Sequence, residues 1–310
     1  GDTFDKVVYE RAQKSLDFLD ACIDPVSGEL PNYGSNDGAL FFKLTNDDYR
    51  VYRSQLDDLR AVLNGYIYFG SKSSLWYGIQ PKQKKQATLP EISKFTKGGY
   101  YIIQEGNTKT FIRCGAYKDR PYQSDNLHID IWIDGKNVLR DNGSYQYNTS
   151  KELINYFNGS EGHNTISIDG KDQMQKGDRF IWNYWVKYAK ANLTESQNKF
   201  VFKGEIKGFK HLDSNILHQR IVTKSKGLNE WIIKDIISGV ENKTSFQYWH
   251  FSNEMIDKLS ITSLDRNNKK LEPILEEKWY SSYYGVKEES TRLSFESNTN
   301  MFTTKITYKK

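Results

Sequence analysis

From Tyr100 onward the chain is written as short apolar or alternating runs, each closed by a turn signal: YYIIQEG, KTFIRCGAY, NLHIDIWIDG, HNTISIDG, KFVFKGEIKG, NILHQRIVTK, WIIKDIISG and SFQYWHFS. Alternation at period two buries one face of a strand and leaves the other polar. Parallel neighbours would need crossover connections of a dozen residues or more, mostly helical. No such helices separate these runs, so the strands must pair antiparallel and stack as layers. The expected fold is mainly β, a large antiparallel β-sandwich. Apolar residues at 37% supply its core, and most of the 21 tyrosines serve as ordinary sheet residues.

The first third reads differently. Phe4, Val8, Ala12, Leu16, Leu19 and Ile23 recur at helical spacing. A loop with Pro25, Gly28, Pro31, Gly34 and Gly38 follows. Thr45 with Asp48 three residues on resembles a capping box, and Tyr49, Tyr52, Leu56, Leu59 and Leu63 continue to Gly65, a helix stop. Two helices bury little by themselves, so this hairpin reads as the end of a larger helical array. Residues 1–66 are assigned to it, 67–98 to a polar linker containing PKQKKQ, and 99–310 to the sandwich. The chain opens on Gly1 and not Met, which reads either as an appended scar or as a cut made within a longer protein.

A net charge of +5 is spread along the chain, with no basic–aromatic nucleic-acid module. It suits an anionic carbohydrate and equally a solvated lysine-rich surface. Neither a membrane-length apolar run nor a signal peptide is visible. Cys22 and Cys114, far apart in sequence, read as two reduced, buried thiols.

The chemistry concentrates between Arg120 and Gln173. On the strand 126–133, Leu127, Ile129, Ile131 and Ile133 share the core face. Asn126, His128, Asp130 and Trp132 point the other way, toward solvent or a groove. Asp141 precedes an Asn-Gly turn, and His163 opens the His-Asn-Thr before the next strand. Two histidines and an aspartate from neighbouring strand ends could hold a divalent metal, or His163 and Asp141 simply hydrogen-bond each other or turn backbone. His211 and His218 read as packing residues and His250 as core. Paired-carboxylate hydrolysis by Asp125, Asp130 and Asp134 stays open.

The run G-x-x-x-L-R-D-x-G-x-Y-x-Y at 135–147, the HNT-x-x-x-DG at 163–170, and SFQYWHF further on resemble the heparinase II/III-like polysaccharide lyases. That resemblance implies an (α/α) toroid followed by a supersandwich, the present helical hairpin being the toroid's last. The Asn-Tyr-Gly-Ser-Asn-Asp-Gly loop at 32–38 matches the toroid's end, although turn chemistry alone explains Tyr33 and Asn36. It also implies β-elimination on a uronic-acid polysaccharide by a periplasmic, envelope or secreted parent protein. One structural divalent metal, zinc or calcium, would fall on Asp141, His163 and Gln123. The family's sandwich histidine falls on Pro121, which carries no proton. Candidates for its role are His128, Tyr147 and Tyr156, with Arg120, Tyr122, Asn126, His128 and Tyr145 on substrate. His128 stands five residues beyond Gln123, roughly 16 Å along a strand. The family's other catalytic groups would precede this segment, which alone would be inactive. The Pro121 and Gln123 positions keep a second reading open, a non-catalytic binder or scaffold for acidic glycans.

Overall fold

The computed structural model describes residues 3–40, 42–71 and 73–309, so Gly1 lies outside it. Helix α1 spans Lys6–Cys22 and α2 spans Arg53–Asn64. Helix α2 starts later than the sequence suggests. Val51 bridges to Glu29 and Tyr52 N donates to Gly28 O, so the chain before Arg53 is held as a partner of the preceding loop. Thr45 caps no helix; its hydroxyl bonds Asp47. Gly65 ends α2 in the left-handed region as expected.

The stretch expected to be a linker carries structure. The Asp57 carboxylate collects the backbone N–H groups of Tyr68, Phe69, Gly70 and Ser71, pinning the chain after α2. Strand β1 (Ile92–Phe95) then opens a five-stranded antiparallel sheet with β2 (Tyr100–Glu105), β3 (Thr108–Arg113), β4 (Ile129–Ile133) and β5 (Lys136–Leu139), in that spatial order. Asp134 and Gly135, both at positive φ, make the two-residue turn between β4 and β5.

Helix α3 (Lys151–Asn158) and β6 (Ile166–Ile168) follow. Next come β7 (Ala189–Glu195), β8 (Lys199–Ile206), β9 (Leu217–Ser225), β10 (Glu230–Ser238), β11 (Ser245–Phe251), β12 (Leu259–Leu264), β13 (Ile274–Tyr280), β14 (Glu288–Ser297) and β15 (Met301–Tyr308). They build a six-stranded sheet in the order β7-β8-β9-β10-β15-β12 and a four-stranded sheet in the order β13-β14-β11-β6. The four- and five-stranded sheets meet where Arg140 N donates to His250 O.

Side chains from all three sheets share one apolar core, including Ile131, Phe202, Trp231, Trp249 and Phe302. A second cluster packs Leu16, Cys22 and Leu56 of the helices against Ile102 and Phe111 on the other face of the five-stranded sheet. That sheet is therefore covered on both faces. Cys22 and Cys114 are free and buried. Among the described residues no helix is long and apolar enough to cross a membrane.

Candidate functional site

Because both faces of the five-stranded sheet are covered, the polar side of β4 does not reach a groove. Asn126, His128, Asp130 and Trp132 are all buried. This corrects the expectation that Asn126 and His128 contact substrate and that His128 moves protons. The Asn126 side-chain oxygen accepts from Gly115 N. His128 Nδ1 accepts from Asn164 N at 3.0 Å, and burial pushes its pKa down to about 4, so the ring is neutral. Burial pushes Asp130 up to about 7.

The His-Asn-Thr run divides its work. Asn164 donates to the carbonyls of Ile129 and Arg140 and accepts from His250 N, tying the five-stranded sheet to the four-stranded one. The Thr165 hydroxyl donates to Asn126 O. These two residues hold the joint between sheets, and His163 is left for the site.

His163 is fully buried. Its Nδ1 donates to Gly159 O at 2.7 Å, which leaves Nε2 facing Asp141 Oδ2 at 3.1 Å without the geometry of a hydrogen bond. A lone pair facing a carboxylate is repulsive unless a proton or a cation lies between them. Burial works against charging the imidazole, but Asp141 beside it outweighs that and lifts its pKa to about 9. Asp141 Oδ1 accepts from Gly143 N at 2.7 Å. Gly143 has φ of 82°, and a Cβ there would lie 2.1 Å from Ser281 O, so the Asp-Asn-Gly turn admits only glycine.

Gln123 sits at the same turn. Its Nε2 faces the carbonyls of Gly143 and Phe157 at 3.4 and 3.5 Å, which fixes the amide orientation and leaves Oε1 buried and unpartnered. Asp141 thus holds the Gly143 nitrogen, Gln123 faces the Gly143 carbonyl, and the His163 imidazole faces the Asp141 carboxylate. Among the described residues no three His, Cys, Asp or Glu side chains form a metal-type cluster.

In front of this turn lies a groove of about 660 Å³, lined by Pro121, Tyr122, Tyr147, Lys176, Arg179 and Phe180 among others. A smaller hollow of about 340 Å³ continues from it past Asn36, Tyr49 and Arg50, the two sharing Ser35 and Ser144. No histidine or carboxylate lines the main groove among the described residues. Tyr147 is 36% exposed, and partial burial with Asp37 nearby raises its pKa.

Of the expected substrate residues, Tyr122 lines the groove, and Arg120 stands just outside it in an adjoining hollow with Asp178, Arg179 and Phe180, its guanidinium near both the Tyr122 and Phe180 rings. Tyr145 turns away to pack on Phe157. Tyr156 is buried, its hydroxyl accepting from Asn142 Nδ2 and donating to Trp279 O, so it is a structural tyrosine and not a proton carrier. Asp125 is ion-paired with Arg113 and bonded by the Tyr117 hydroxyl, and Asp134 sits in a turn with Asn107. With Asp130 buried, none of the three is placed for paired-carboxylate hydrolysis.

Lys176, Arg179 and Phe180 escape a sequence reading, because their hairpin reads as an ordinary polar turn. The Gly-Asp-Arg-Phe order gives no motif, and only the fold brings the turn back against Tyr147.

A family model described as heparinase II/III-like, C-terminal, matches residues 87–309. A heparin-sulfate lyase of Bacteroides stercoris is 30% identical over 97 residues, covering 28% of this chain and 15% of that protein. Heparan sulfate lyase HepC from Pedobacter heparinus superposes with a TM-score of 0.73 at 16% identity, over 99% of this chain and 48% of the other. A heparinase III crystal structure gives 0.72 at 16% identity, over 98% and 49%. At that identity the likeness is one of fold. The chain spans about half the length of these solved structures and a smaller share of the curated relative. The match over residues 87–309 places this chain in the heparinase II/III-like C-terminal family.

Proposed function

We propose that this chain forms the sandwich wall of a cleft in which a uronic-acid-containing anionic polysaccharide is bound and cleaved by β-elimination. The observation that carries the reading is the groove at the Pro121 turn, cationic and aromatic, backed by the Asp141–His163 pair. Elimination requires the uronate carboxylate to be neutralised so that the C5 proton becomes acidic. It also requires a donor to the leaving glycosidic oxygen. Arg120 supplies fixed positive charge at the mouth. Tyr147 is the proton-bearing group of choice on this wall, because its partly exposed phenol lines the groove.

Gln123, Asp141 and His163 would hold one divalent cation once the His163 Nε2 proton is displaced, since that nitrogen and Gln123 Oε1 are buried without partners and the third donor is a carboxylate. With two oxygens and one nitrogen the set leans toward a hard cation such as calcium, although zinc accepts the same imidazole. Such an ion would buttress the turn behind the groove.

A second reading, an acidic-glycan binder without catalysis, is favoured by Pro121 and Gln123 at the family's histidine positions and by a groove with no histidine among its described lining residues. The deciding experiment incubates the full-length protein with a panel of glycuronans and follows the ultraviolet absorbance of unsaturated uronate. Elimination predicts product from the wild type and roughly hundredfold slower turnover in Tyr147→Phe. Retention on a glycan column without product selects the binder, and neither product nor retention overturns both.

A further inference from the structure

Residues Gln175–Asn183 form a separate two-stranded hairpin, with Lys176 paired to Trp182 and Gln175 to Asn183. Its turn runs through Asp178 and Ile181, joined by Ile181 N donating to Asp178 O at 2.9 Å. Arg179, inside that turn, has φ of 50°, where hairpin turns ordinarily take glycine or asparagine. A bulky residue held there is strained, and such strain gathers at ligand clamps. The consequence is that the tip presents Arg179 and Phe180 together to the groove.

Phe180 is 45% exposed yet contacts both sides of the mouth. Its ring lies 5.5 Å from Tyr147 in an edge-on arrangement, and the Arg120 guanidinium stands 5.3 Å from its centroid. An exposed phenyl ring between a groove tyrosine and an arginine matches the apolar face of a sugar ring, flanked by charge for its anionic substituents.

We propose that this hairpin is a specificity clamp for an anionic oligosaccharide: Phe180 stacks on a sugar face while Arg179, with Arg120 beside it, holds a sulfate or carboxylate. This deepens the proposed function and rests on it. Lys176 belongs to the clamp's frame. Its Nζ bonds the Gly177 and Arg179 carbonyls and lies 5.3 Å from the Trp182 ring, so it stiffens the turn from inside.

The test titrates the full-length protein with a sulfated glucosaminoglycan oligosaccharide and with an unsulfated oligouronate of matched length, reading dissociation constants by calorimetry. Phe180→Ala weakens both ligands on the order of tenfold. Arg179→Ala weakens the sulfated ligand alone if it grips sulfate, and both if it grips carboxylate. Unfolding midpoints stay at the wild-type value, and Leu228→Ala, on a distant exposed hairpin, binds as wild type. If the wild type binds and both clamp variants bind equally well, the clamp is wrong while the cleft reading stands. If the wild type binds neither ligand, both fall.

Discussion

Among the described residues His128–Asp130, His163–Asp141 and His218–Asp235 are buried histidine–aspartate pairs, and the last two are built for opposite ends. His218 and Asp235 sit opposite the groove layer, in the six-stranded sheet. His218 Nε2 approaches Asp235 at 2.8 Å, Arg220 binds both carboxylate oxygens at 2.7 Å, and Gln247 adds a fourth contact. The remaining Arg220 nitrogen donates to Leu127 O and Asn164 O, so the pair nails the six-stranded sheet to the five-stranded one. Both oxygens of Asp235 are used, while His218 Nδ1 is buried without a partner. His163 and Asp141 have the same side chains, equally buried, but no guanidinium among the described residues pairs with them. Nε2 of His163 and Oε1 of Gln123 remain without partners. Residue type does not separate the structural pair from the candidate site. The third partner does: an arginine closes one pair, and its absence leaves the other open to a cation or a proton.

The largest effect comes from opening the closed pair. Arg220→Met strands the Asp235 carboxylate in the core, at a cost of about 3–5 kcal/mol by denaturant unfolding. A loss below about 1 kcal/mol would mean that Asp235 is not held as described.

A pH series sharpens the same contrast. Although burial alone would raise it, the Arg220 charge and hydrogen bonds hold the Asp235 pKa far below the usual carboxylate range. A depressed carboxylate stabilises the fold above its unfolded pKa of about 4 and loses that contribution as pH falls toward the folded value. Wild-type stability therefore drops between about pH 4 and pH 2, and Arg220→Met flattens that drop. Equal slopes in the two proteins would break the assignment.

At the open pair a ligand replaces the arginine. Calcium or zinc at about a hundredfold over its dissociation constant adds about 2–3 kcal/mol of stability, read as a shift in unfolding midpoint. Asp141→Asn removes that increment. The smallest effect is Gln123→Leu without added metal, about 1–2 kcal/mol, because two carbonyls lose their shared donor.

The layered architecture was legible because strand alternation and the two Asp-Gly turns at 134–135 and 169–170 are local. The face of β4 was not. Alternation says that Asn126, His128 and Asp130 share a side, but only tertiary packing says that helices and the Asn164 loop cover it. Asp141 and His163 could be paired by motif. The Arg220–Asp235 cross-strand pair carried a fainter signal: Asp235 shares a face with Ile233 and Ile237, so it had to enter the core with a partner. Phe180 and Arg179 gave none, since a turn's position over a distant groove is set by everything between.

The open pair beside the groove is the centre of this account, and metal content measures it most directly. Full-length protein, its Asp141→Asn variant and its Gln123→Leu variant are dialysed and assayed for calcium and zinc by elemental analysis. The account predicts close to one divalent ion per wild-type chain, little in Asp141→Asn and a weakened intermediate in Gln123→Leu. A wild type that holds no ion even when calcium or zinc is supplied, or variants that retain it fully, would contradict it.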